Sequence, residues 1–310
     1  MNDDTDALYT ADGLRLQRVA WPARVAPWGT ARGTVLVVHG LGEHAERYVR
    51  LAADLCAAGW QVQSWDQRGH GDSEGARGAI ATATSLLDDL ALMLRTLRDE
   101  DVPRPLVLLG HSMGGAVAAR HVADGGNGID ALVLSSPAFD AGLSRWRRLQ
   151  LWLGQRFVPD LAVDNGIEPA WISRDALVVR QYSDDTRVHH RVTPRLAQFI
   201  VESGRVALAA APRWRVPTLL MWSGADRCVL PRGSAAFAAA APRAVVQARC
   251  FDGLAHEIFN EPEREFVVGA LLEWLEKTPR ARPQSRPQLR RTGVTSIAPS
   301  AGPRLRSLAP

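Results

Sequence analysis

Continuous apolar runs alternate along the chain with segments whose apolar residues recur at helical spacing. The runs include TVLVVHG, PLVLLG, DALVLSS and VPTLLMWSG, and they are typical of strands buried on both faces of a sheet. Between residues 48 and 56, apolar residues fall at i, i+3, i+4, i+7 and i+8, which is one face of a helix. The alternation predicts an α/β fold with a mostly parallel sheet and helices on both faces.

The alternation stops between about residues 138 and 213, where no clear buried strand is visible. The stretch LSRWRRLQLWLGQRF in this segment is amphipathic, with arginines mostly away from its apolar face. That face consists of Leu143, Trp146, Leu149, Trp152, Leu153 and Phe157. We interpret the segment as a helical cap inserted over the strand ends. Its apolar face either packs within the cap or contacts lipid, since arginine beside exposed tryptophan suits an anionic membrane surface.

The positive charge of the chain is concentrated at its C-terminal end. The formal net charge is +4, yet residues 278–310 hold seven arginines and no Asp, Glu or Lys. The first 277 residues therefore carry 30 basic and 33 acidic side chains. We predict one domain over residues 1–277 and a disordered, Arg- and Pro-rich tail over 278–310. No basic helix or aromatic–basic platform accompanies the arginines, so no nucleic-acid partner is expected.

Cysteine usage and hydropathy indicate a cytoplasmic protein. Cys56, Cys228 and Cys250 form no C-x-x-C pair and are odd in number, which disfavours a disulfide framework or a zinc site. The acidic start MNDDTDALYT lacks the apolar core of a signal peptide. No run of about 18 apolar residues occurs, so no membrane span is predicted. We expect membrane contact, where it occurs, to be peripheral and made by the cap.

The run PLVLLG leads into GHSMGG, a G-x-S-x-G pattern that is followed by an alanine-rich segment. Small residues on both sides of Ser112 suit a tight, strained turn between a strand and a helix, which exposes the serine hydroxyl to a substrate. A serine hydroxyl is a weak nucleophile unless a base accepts its proton and an acid orients that base. Ser112 is therefore a candidate nucleophile, and its partners are expected at the ends of later strands.

Two residues at later strand ends complete the order Ser, Asp, His that this kind of sheet predicts. Asp226 follows the strand in VPTLLMWSG, and His256 lies in FDGLAHEIFNE, directly after the last strand. Asp252 also follows a strand, but it stands only four residues before His256 and better suits a role in shaping the loop. The competing histidines mostly precede Ser112 or lie in the predicted cap. They are His39, His44, His70, His111, His121, His189 and His190.

Acyl transfer also needs hydrogen-bond donors for the negative charge that develops on the carbonyl oxygen. One donor is the N–H of the residue after the nucleophile, which is Met113. The second is expected in the loop after an early strand, and in HGLGEH this is the N–H of Leu41. Both donors belong to the backbone, so apolar side chains are acceptable at these positions.

Five sequence blocks of the chain resemble the monoacylglycerol lipase and lysophospholipase branch of the α/β-hydrolase superfamily. The blocks are HGLGEHAERY, WDQRGHGDSEG, GHSMGG, SGADRCV and AHEIFNE, spread in order between Gly13 and Lys277. The HGxGEHxxRY pattern is far more specific than G-x-S-x-G. The resemblance implies an α/β-hydrolase fold with a helical cap over an acyl-chain tunnel, and a serine esterase that uses no metal or other cofactor.

The resemblance also implies which residues lie near the alcohol head group of a substrate. Glu43, Arg47 and His111 match family positions, and Tyr182 in QYSDDT matches a tyrosine of the family's cap. The Asp-Pro-Leu turn usual after that tyrosine is replaced here by residues 185–187, Asp-Thr-Arg, so the preferred alcohol stays open. The alternatives are a structural ion pair between Glu43 and Arg47, and packing of Tyr182 within the cap.

Together these observations predict a serine hydrolase that cleaves the carboxylic ester of a single-acyl lipid, a monoacylglycerol or a lysophospholipid, through an acyl-enzyme. One alternative is a soluble short-chain carboxylesterase, and another is a peptidase of the same fold. A peptidase needs an anionic anchor for a free amine, and the sequence shows no clear one. A non-catalytic binding module is a third alternative, but such a protein usually lacks a member of the triad, and none is missing here.

Overall fold

The computed structural model describes residues 7–25 and 29–277, and this part of the chain contains ten strands. They are β1 (Ala7–Tyr9), β2 (Arg15–Trp21), β3 (Thr34–Val38), β4 (Gln61–Trp65), β5 (Leu106–His111), β6 (Ala131–Ser135), β7 (Val163–Asp164), β8 (Arg191–Val192), β9 (Thr218–Ser223) and β10 (Val246–Phe251). Eight of them form one sheet in the order β1-β2-β4-β3-β5-β6-β9-β10. Strand β2 is antiparallel to β1 and β4, and the pairs from β4 to β10 are parallel.

Helices follow most of the parallel strands. Those in the described residues are α1 (Val49–Ala57), α2 (Ser85–Asp99), α3 (Ser112–Ala123), α4 (Arg145–Phe157), α5 (Ala176–Asp184), α6 (Pro194–Ala210), α7 (Pro231–Ala240) and α8 (Arg264–Lys277). The mostly parallel α/β sheet predicted from the apolar runs is therefore confirmed. Strand β1 was not predicted, because three residues inside an acidic segment carry too little periodicity to stand out.

The sheet is buried on both faces, as its continuous apolar runs require. In β3, Leu36 and Val38 pack into a core that includes residues of α2 and α3. Val35 and Val37 point the other way, into a core that includes residues of α1 and α8. Successive side chains of a strand point to opposite faces, so a strand covered by helices on both sides must be apolar at every position.

Parallel pairing brings the carboxyl ends of the central strands to one edge of the sheet. Val38 at the end of β3 pairs with Gly110 of β5, and His111 pairs with Ser135 at the end of β6. Ser223 at the end of β9 pairs with Phe251 at the end of β10. The loops that follow β3, β5, β9 and β10 therefore leave the sheet on the same side, where ligand sites of such sheets form.

The segment between β6 and β9, all of it described, contributes no strand to the eight-stranded sheet. It contains α4, α5, α6 and the two-stranded antiparallel sheet of β7 and β8. Helix α4 confirms the predicted amphipathic helix. The interpretation that its apolar face packs within the cap is wrong. Trp146, Trp152 and Phe157 are 76%, 60% and 70% exposed, and the half-buried side of the helix instead carries Leu151 and Gln155.

None of the helices in the described part of the chain combines the length and the apolar character that a membrane crossing needs. Cys56, Cys228 and Cys250 all have free thiols. The predicted disordered tail, residues 278–310, lies outside the described residues.

Candidate active site

Ser112 stands at the junction of β5 and α3, on a backbone that few residues other than glycine adopt. Its φ is +53°, in the left-handed region, which is the strained turn that the G-x-S-x-G pattern predicts. The two flanking glycines are needed because the turn is crowded. A Cβ at Gly110 would collide with the carbonyl of Gly114, and one at Gly114 would collide with the carbonyl of Val38.

His256 and Asp226 form a buried hydrogen-bonded pair between the loops after β10 and β9. His256 Nδ1 lies 2.6 Å from Asp226 Oδ2. The other carboxylate oxygen, Oδ1, accepts the backbone N–H groups of Cys228 at 2.8 Å and Val229 at 3.0 Å, which fixes its orientation. Burial by itself would lower the pKa of His256, but the charge of Asp226, with smaller effects of Glu257 and Glu43, raises it above the ordinary value.

Ser112 and His256 line the same cavity, although no direct hydrogen bond joins them among the described contacts. Such a contact is often loose without substrate and tightens when substrate binds. The cavity also contains Leu41 and two isoleucines of the cap segment, Ile167 and Ile172. Its volume is about 20 Å³, room for one water molecule, so the acyl-chain tunnel that the resemblance implies is closed at this point.

The two expected oxyanion donors lie beside Ser112. Helix α3 begins at Ser112, so the N–H of Met113 is in the first turn, where N–H groups have no acceptor within the helix. Leu41 follows Gly40, whose own N–H is bound by the side chain of Glu43, and both line the cavity with Ser112. The loop after β3 thus holds Leu41 next to the nucleophile, as the proposed pair of backbone donors requires.

Three charged side chains form a buried cluster next to the cavity. The Nη2 group of Arg47 lies 2.8 Å and 2.6 Å from the two carboxylate oxygens of Glu257, and its Nε lies 3.3 Å from Glu43 Oε2. Glu43 also accepts the hydroxyl of Tyr48 at 2.7 Å, and Asn260 donates to Glu257 at 2.9 Å. The structural ion pair considered for Glu43 and Arg47 exists, but Arg47 lies closer to Glu257 than to Glu43.

His111 and Tyr182 also line the cavity with Ser112. The ring centroids of His111 and His256 are 4.7 Å apart, and His111 Nδ1 lies 3.0 Å from Ser135 Oγ. Burial lowers the pKa of His111, and the neighbouring His256 and Arg47 add to this, so His111 stays neutral and is a poor candidate for the base. The guanidinium of Arg47 stacks 4.8 Å from the centre of the buried Tyr182 ring. The four residues that the resemblance assigns to the head group, Glu43, Arg47, His111 and Tyr182, therefore lie together at the cavity of Ser112.

The cap segment is bonded to the loops of this site at several points. The N–H of Glu257 donates to the carbonyl of Ile172 at 2.7 Å. The Asp-Thr-Arg turn that departs from the family pattern also reaches the site. Asp185 accepts from His44 Nε2 at 2.8 Å, and Arg187 bonds to Glu46 at 2.7 Å. Of these two contacts to the HGLGEHAERY block, only that of Arg187 comes from the departure in sequence, because Asp185 matches the family's aspartate.

The competing candidates are engaged elsewhere. His39 uses both ring nitrogens, one with the carbonyl of Gly40 at 2.8 Å and one with the N–H of Gln67 at 2.9 Å. Burial lowers the pKa of His39 to about 4, and that of His189 to about 4 as well. His70 lies between these two rings, with centroids 5.3 Å and 4.6 Å away. These three histidines form a neutral buried cluster where the cap meets the core.

Asp252 contacts the thiol of Cys250 at 3.3 Å, whereas Asp226 holds His256. The WDQRGHGDSEG block makes contacts that connect separate parts of the chain. Arg68 bonds to both carboxylate oxygens of Asp89 at 2.6 Å and 2.7 Å, and Asp66 accepts the N–H of Ala45 at 2.8 Å. These residues tie the loops of the site to α2 and to the segment before α1.

One group of three potential metal ligands occurs in the described residues, formed by Asp226, Cys228 and His256 within 4.8 Å of one another. Asp226 and His256 are bonded to each other directly, and burial raises the pKa of the Cys228 thiol far above its ordinary value. A protonated thiol beside an engaged pair is a poor donor set, because a metal needs the thiolate. We assign no metal to it.

Glu257 is the main site residue that the sequence analysis missed. It stands in AHEIFNE, next to His256, so its position in the chain was the available signal. Burial raises the pKa of its carboxyl above the ordinary value, opposed by Arg47 and Asn260. The cap residues Ile167 and Ile172 were also missed, because nothing in an irregular segment marks which apolar residue reaches the nucleophile.

Comparisons with known proteins match most of the chain. The profile of a family described as Serine aminopeptidase, S33 matches residues 29–263. The chain is 30% identical to the monoacylglycerol lipase of Mycolicibacterium smegmatis, over 85% of this chain and 93% of that protein. It is 30% identical to a phospholipase of Bacillus subtilis, over 76% of this chain and 92% of that protein.

A solved structure is similar in fold as well. The crystal structure of Paleococcus ferrophilus monoacylglycerol lipase aligns with a TM-score of 0.77 at 30% identity, and the alignment covers 85% of this chain and 99% of that one.

Proposed function

We propose that this chain, which belongs to the Serine aminopeptidase, S33 family, cleaves the carboxylic ester of a single-acyl lipid. It is an α/β hydrolase of the monoacylglycerol lipase type. The observation that carries the proposal is the strained turn that places Ser112 in one cavity with His256, itself held by Asp226. The substrate is a monoacylglycerol or a lysophospholipid, consistent with the names of the relatives.

In the proposed reaction, Ser112 Oγ attacks the ester carbonyl while His256 Nε2 accepts its proton. The N–H groups of Leu41 and Met113 bind the oxyanion. His256 then gives the proton to the leaving alcohol oxygen as the C–O bond breaks, which leaves the acyl group on Ser112. Water repeats the sequence with His256 as base and releases the fatty acid. Asp226 keeps the Nδ1 proton in place, so that Nε2 is free to act as the base.

The cap is proposed to control access of the acyl chain. The cavity at Ser112 holds about 20 Å³, far too little for an acyl chain. The cap segment, about residues 138–213, supplies Ile167 and Ile172 to its wall. Movement of this segment would open an apolar path to Ser112, which suits a substrate that arrives from a lipid surface.

A substrate panel tests the proposed function. We expect kcat/KM for p-nitrophenyl esters, measured below the critical micelle concentration, to rise from acetate to octanoate, because each buried methylene contributes about 0.8 kcal/mol, nearly fourfold. We also expect 1-octanoylglycerol or the octanoyl lysophospholipid to be hydrolysed. A profile that is flat with acyl length indicates the short-chain carboxylesterase, and faster cleavage of alanine p-nitroanilide indicates the peptidase.

Helix α4 is proposed to dock on an anionic membrane surface. Trp146, Leu149, Leu153 and Phe157 lie exposed on one side of the helix. Arg145, Arg147, Arg148 and Arg156 are exposed on the same helix. Exposed aromatic residues next to arginines are typical of helices that lie in a membrane interface. This side of the protein would then deliver a single-acyl lipid from the membrane to the cap.

A sedimentation assay with vesicles of equal phosphatidylglycerol and phosphatidylcholine tests the docking. We expect Trp146→Ser to weaken binding to the vesicles by about tenfold, since burying a large apolar side chain contributes about 1.5–3 kcal/mol. Hydrolysis of monomeric p-nitrophenyl butyrate should stay unchanged. The matched control is Phe266→Ser on α8, which removes another exposed aromatic residue. Equal weakening by both variants, or by neither, would contradict docking through α4.

A further inference from the structure

The cavity at Ser112 is lined by side chains of two chemical kinds. Leu41, Ile167 and Ile172 are apolar. Glu43, Tyr182 and Glu257 are polar and all contact Arg47, and together with His111 we call them the polar wall. A polar alcohol group loses free energy when it is buried without hydrogen-bond partners, whereas an acyl chain gains it against apolar side chains. The alcohol part of an ester bound at Ser112 therefore belongs on the side of Glu43 and Glu257.

Both carboxylates on this wall are surrounded by hydrogen-bond donors. Glu43 accepts from the N–H of Gly40, the hydroxyl of Tyr48 and the guanidinium of Arg47. Glu257 accepts from Arg47 at both oxygens and from the amide of Asn260. Burial raises the pKa of Glu257, and the donors Arg47 and Asn260 oppose this rise. Two carboxylates and one guanidinium then leave this cluster with a net charge of −1.

The cation of the cluster is not available to a substrate. Arg47 already bonds to both carboxylates and stacks on the ring of Tyr182. Of the described residues that line the cavity with Ser112, none is Arg or Lys, whereas Glu43 and Glu257 both line it. Arg47 lines a neighbouring cavity, which it shares with both carboxylates. An anionic group on the alcohol would meet negative charge without a free counter-charge.

We propose that Glu257 is a specificity-determining residue that, together with Glu43, makes the enzyme select esters of neutral alcohols and reject esters whose alcohol carries a phosphate. The inference rests on the proposed ester hydrolysis at Ser112 and narrows its substrate class to neutral monoacylglycerols. Like charges brought together in a buried site repel strongly, because the surroundings screen them far less than water does. Glu257 acts here by excluding a wrong substrate, in addition to its contact with Arg47.

The test compares octanoate esters that differ only in the alcohol: glycerol, glycerol 3-phosphate and choline, with p-nitrophenyl octanoate as the reference. At pH 8 the wild-type enzyme should show a kcat/KM for the glycerol 3-phosphate ester at least a hundredfold below that for the glycerol ester. In Glu257→Gln this ratio should narrow tenfold or more, equivalent to about 1.4 kcal/mol. A loss of activity common to all esters, for example through a less basic His256, cancels in the ratio.

The matched control is Glu273→Gln on α8, which removes the same charge from an exposed residue paired with Lys277 and Arg249. Its ratio should equal that of the wild type. An unchanged ratio in a folded Glu257→Gln overturns the proposal. If that variant does not fold, the kcat/KM values of the wild type for the choline and glycerol 3-phosphate esters test the proposal. Both alcohols are larger than glycerol, but they differ in charge. Equal kcat/KM for these two esters overturns the proposal, and a strong preference for the choline ester supports it.

The proposed function fails separately from this inference. Hydrolysis of the choline and p-nitrophenyl esters without hydrolysis of the glycerol ester would contradict the monoacylglycerol substrate. The ratio of kcat/KM for the choline ester to that for the glycerol 3-phosphate ester would still test the role of Glu257. Hydrolysis of all four esters at similar rates would support an esterase and contradict the role of Glu257.

Discussion

Ser112→Ala is expected to lower kcat for ester hydrolysis by about 10⁶-fold, the loss typical of removing the nucleophile from a serine–histidine–aspartate unit. The variant should keep its fold, because the change removes one oxygen atom from a residue already held at a φ of +53°. The oxyanion donors would remain, so a residual rate above that of water is expected. Turnover of p-nitrophenyl octanoate, with thermal unfolding as the test of the fold, measures the effect.

Covalent labelling identifies the nucleophile directly. A fluorophosphonate probe should label Ser112 in the wild-type protein and leave Ser112→Ala unlabelled. Ser136 is a matched control, since it also follows a strand end and also has a positive φ, +40°. Ser136→Ala should keep full labelling. Labelling that moves to Ser136, or wild-type turnover in Ser112→Ala, would show that the proposed mechanism is wrong.

The sheet and the positions of the candidate triad could be predicted because both follow from short-range patterns. A run such as β5 (Leu106–His111), which is apolar from Leu106 to Leu109, predicts a strand covered on both faces, and the burial of all its residues confirms this. The two glycines around Ser112 predict the strained turn. Parallel pairing then brings later strand ends to the same edge, so order along the chain was enough to predict that Asp226 and His256 meet. Their catalytic roles stay a prediction.

The orientation of α4 could not be predicted from the sequence. An amphipathic pattern shows that a helix has an apolar face, but it does not show whether that face points toward the protein or away from it. Here Gly154 lies close to Pro194 at the start of α6, and the apolar face with Trp146 and Phe157 is left exposed. Contacts between distant segments, which no local pattern encodes, decide the outcome.

The role of Glu257 could not be predicted from the sequence for a related reason. A glutamate beside a candidate base is ordinary in a surface loop, and only the fold shows that this one is buried against Arg47, 210 residues away along the chain. The same contact explains why Glu43 and Arg47 could be interpreted as a simple ion pair. A third charge, which lies outside the HGLGEHAERY motif, gives this otherwise neutral pair a net charge of −1.

Asp226→Asn is expected to lower kcat by about 10⁴-fold. Asp226 Oδ2 accepts a hydrogen bond from His256 Nδ1–H at 2.6 Å, which leaves Nε2 unprotonated and able to accept the proton of Ser112. Cys228 and Val229 donate to Oδ1, so in the variant the amide oxygen stays on that side and the NH₂ group faces His256. An NH₂ group donates to Nδ1 and places the ring proton on Nε2, where it prevents His256 from acting as a base.

The comparison with Asp252→Asn separates this mechanism from a general effect of charge. Asp252 also follows a strand at the same sheet edge, but its carboxylate contacts the thiol of Cys250 and, within the described part of the chain, no histidine. We expect Asp252→Asn to change kcat less than tenfold, with no loss of fluorophosphonate labelling. Asp226→Asn should label far more slowly, because labelling also needs the base. If Asp252→Asn is the inactive variant and Asp226→Asn is active, then the acid that orients His256 has been assigned to the wrong residue.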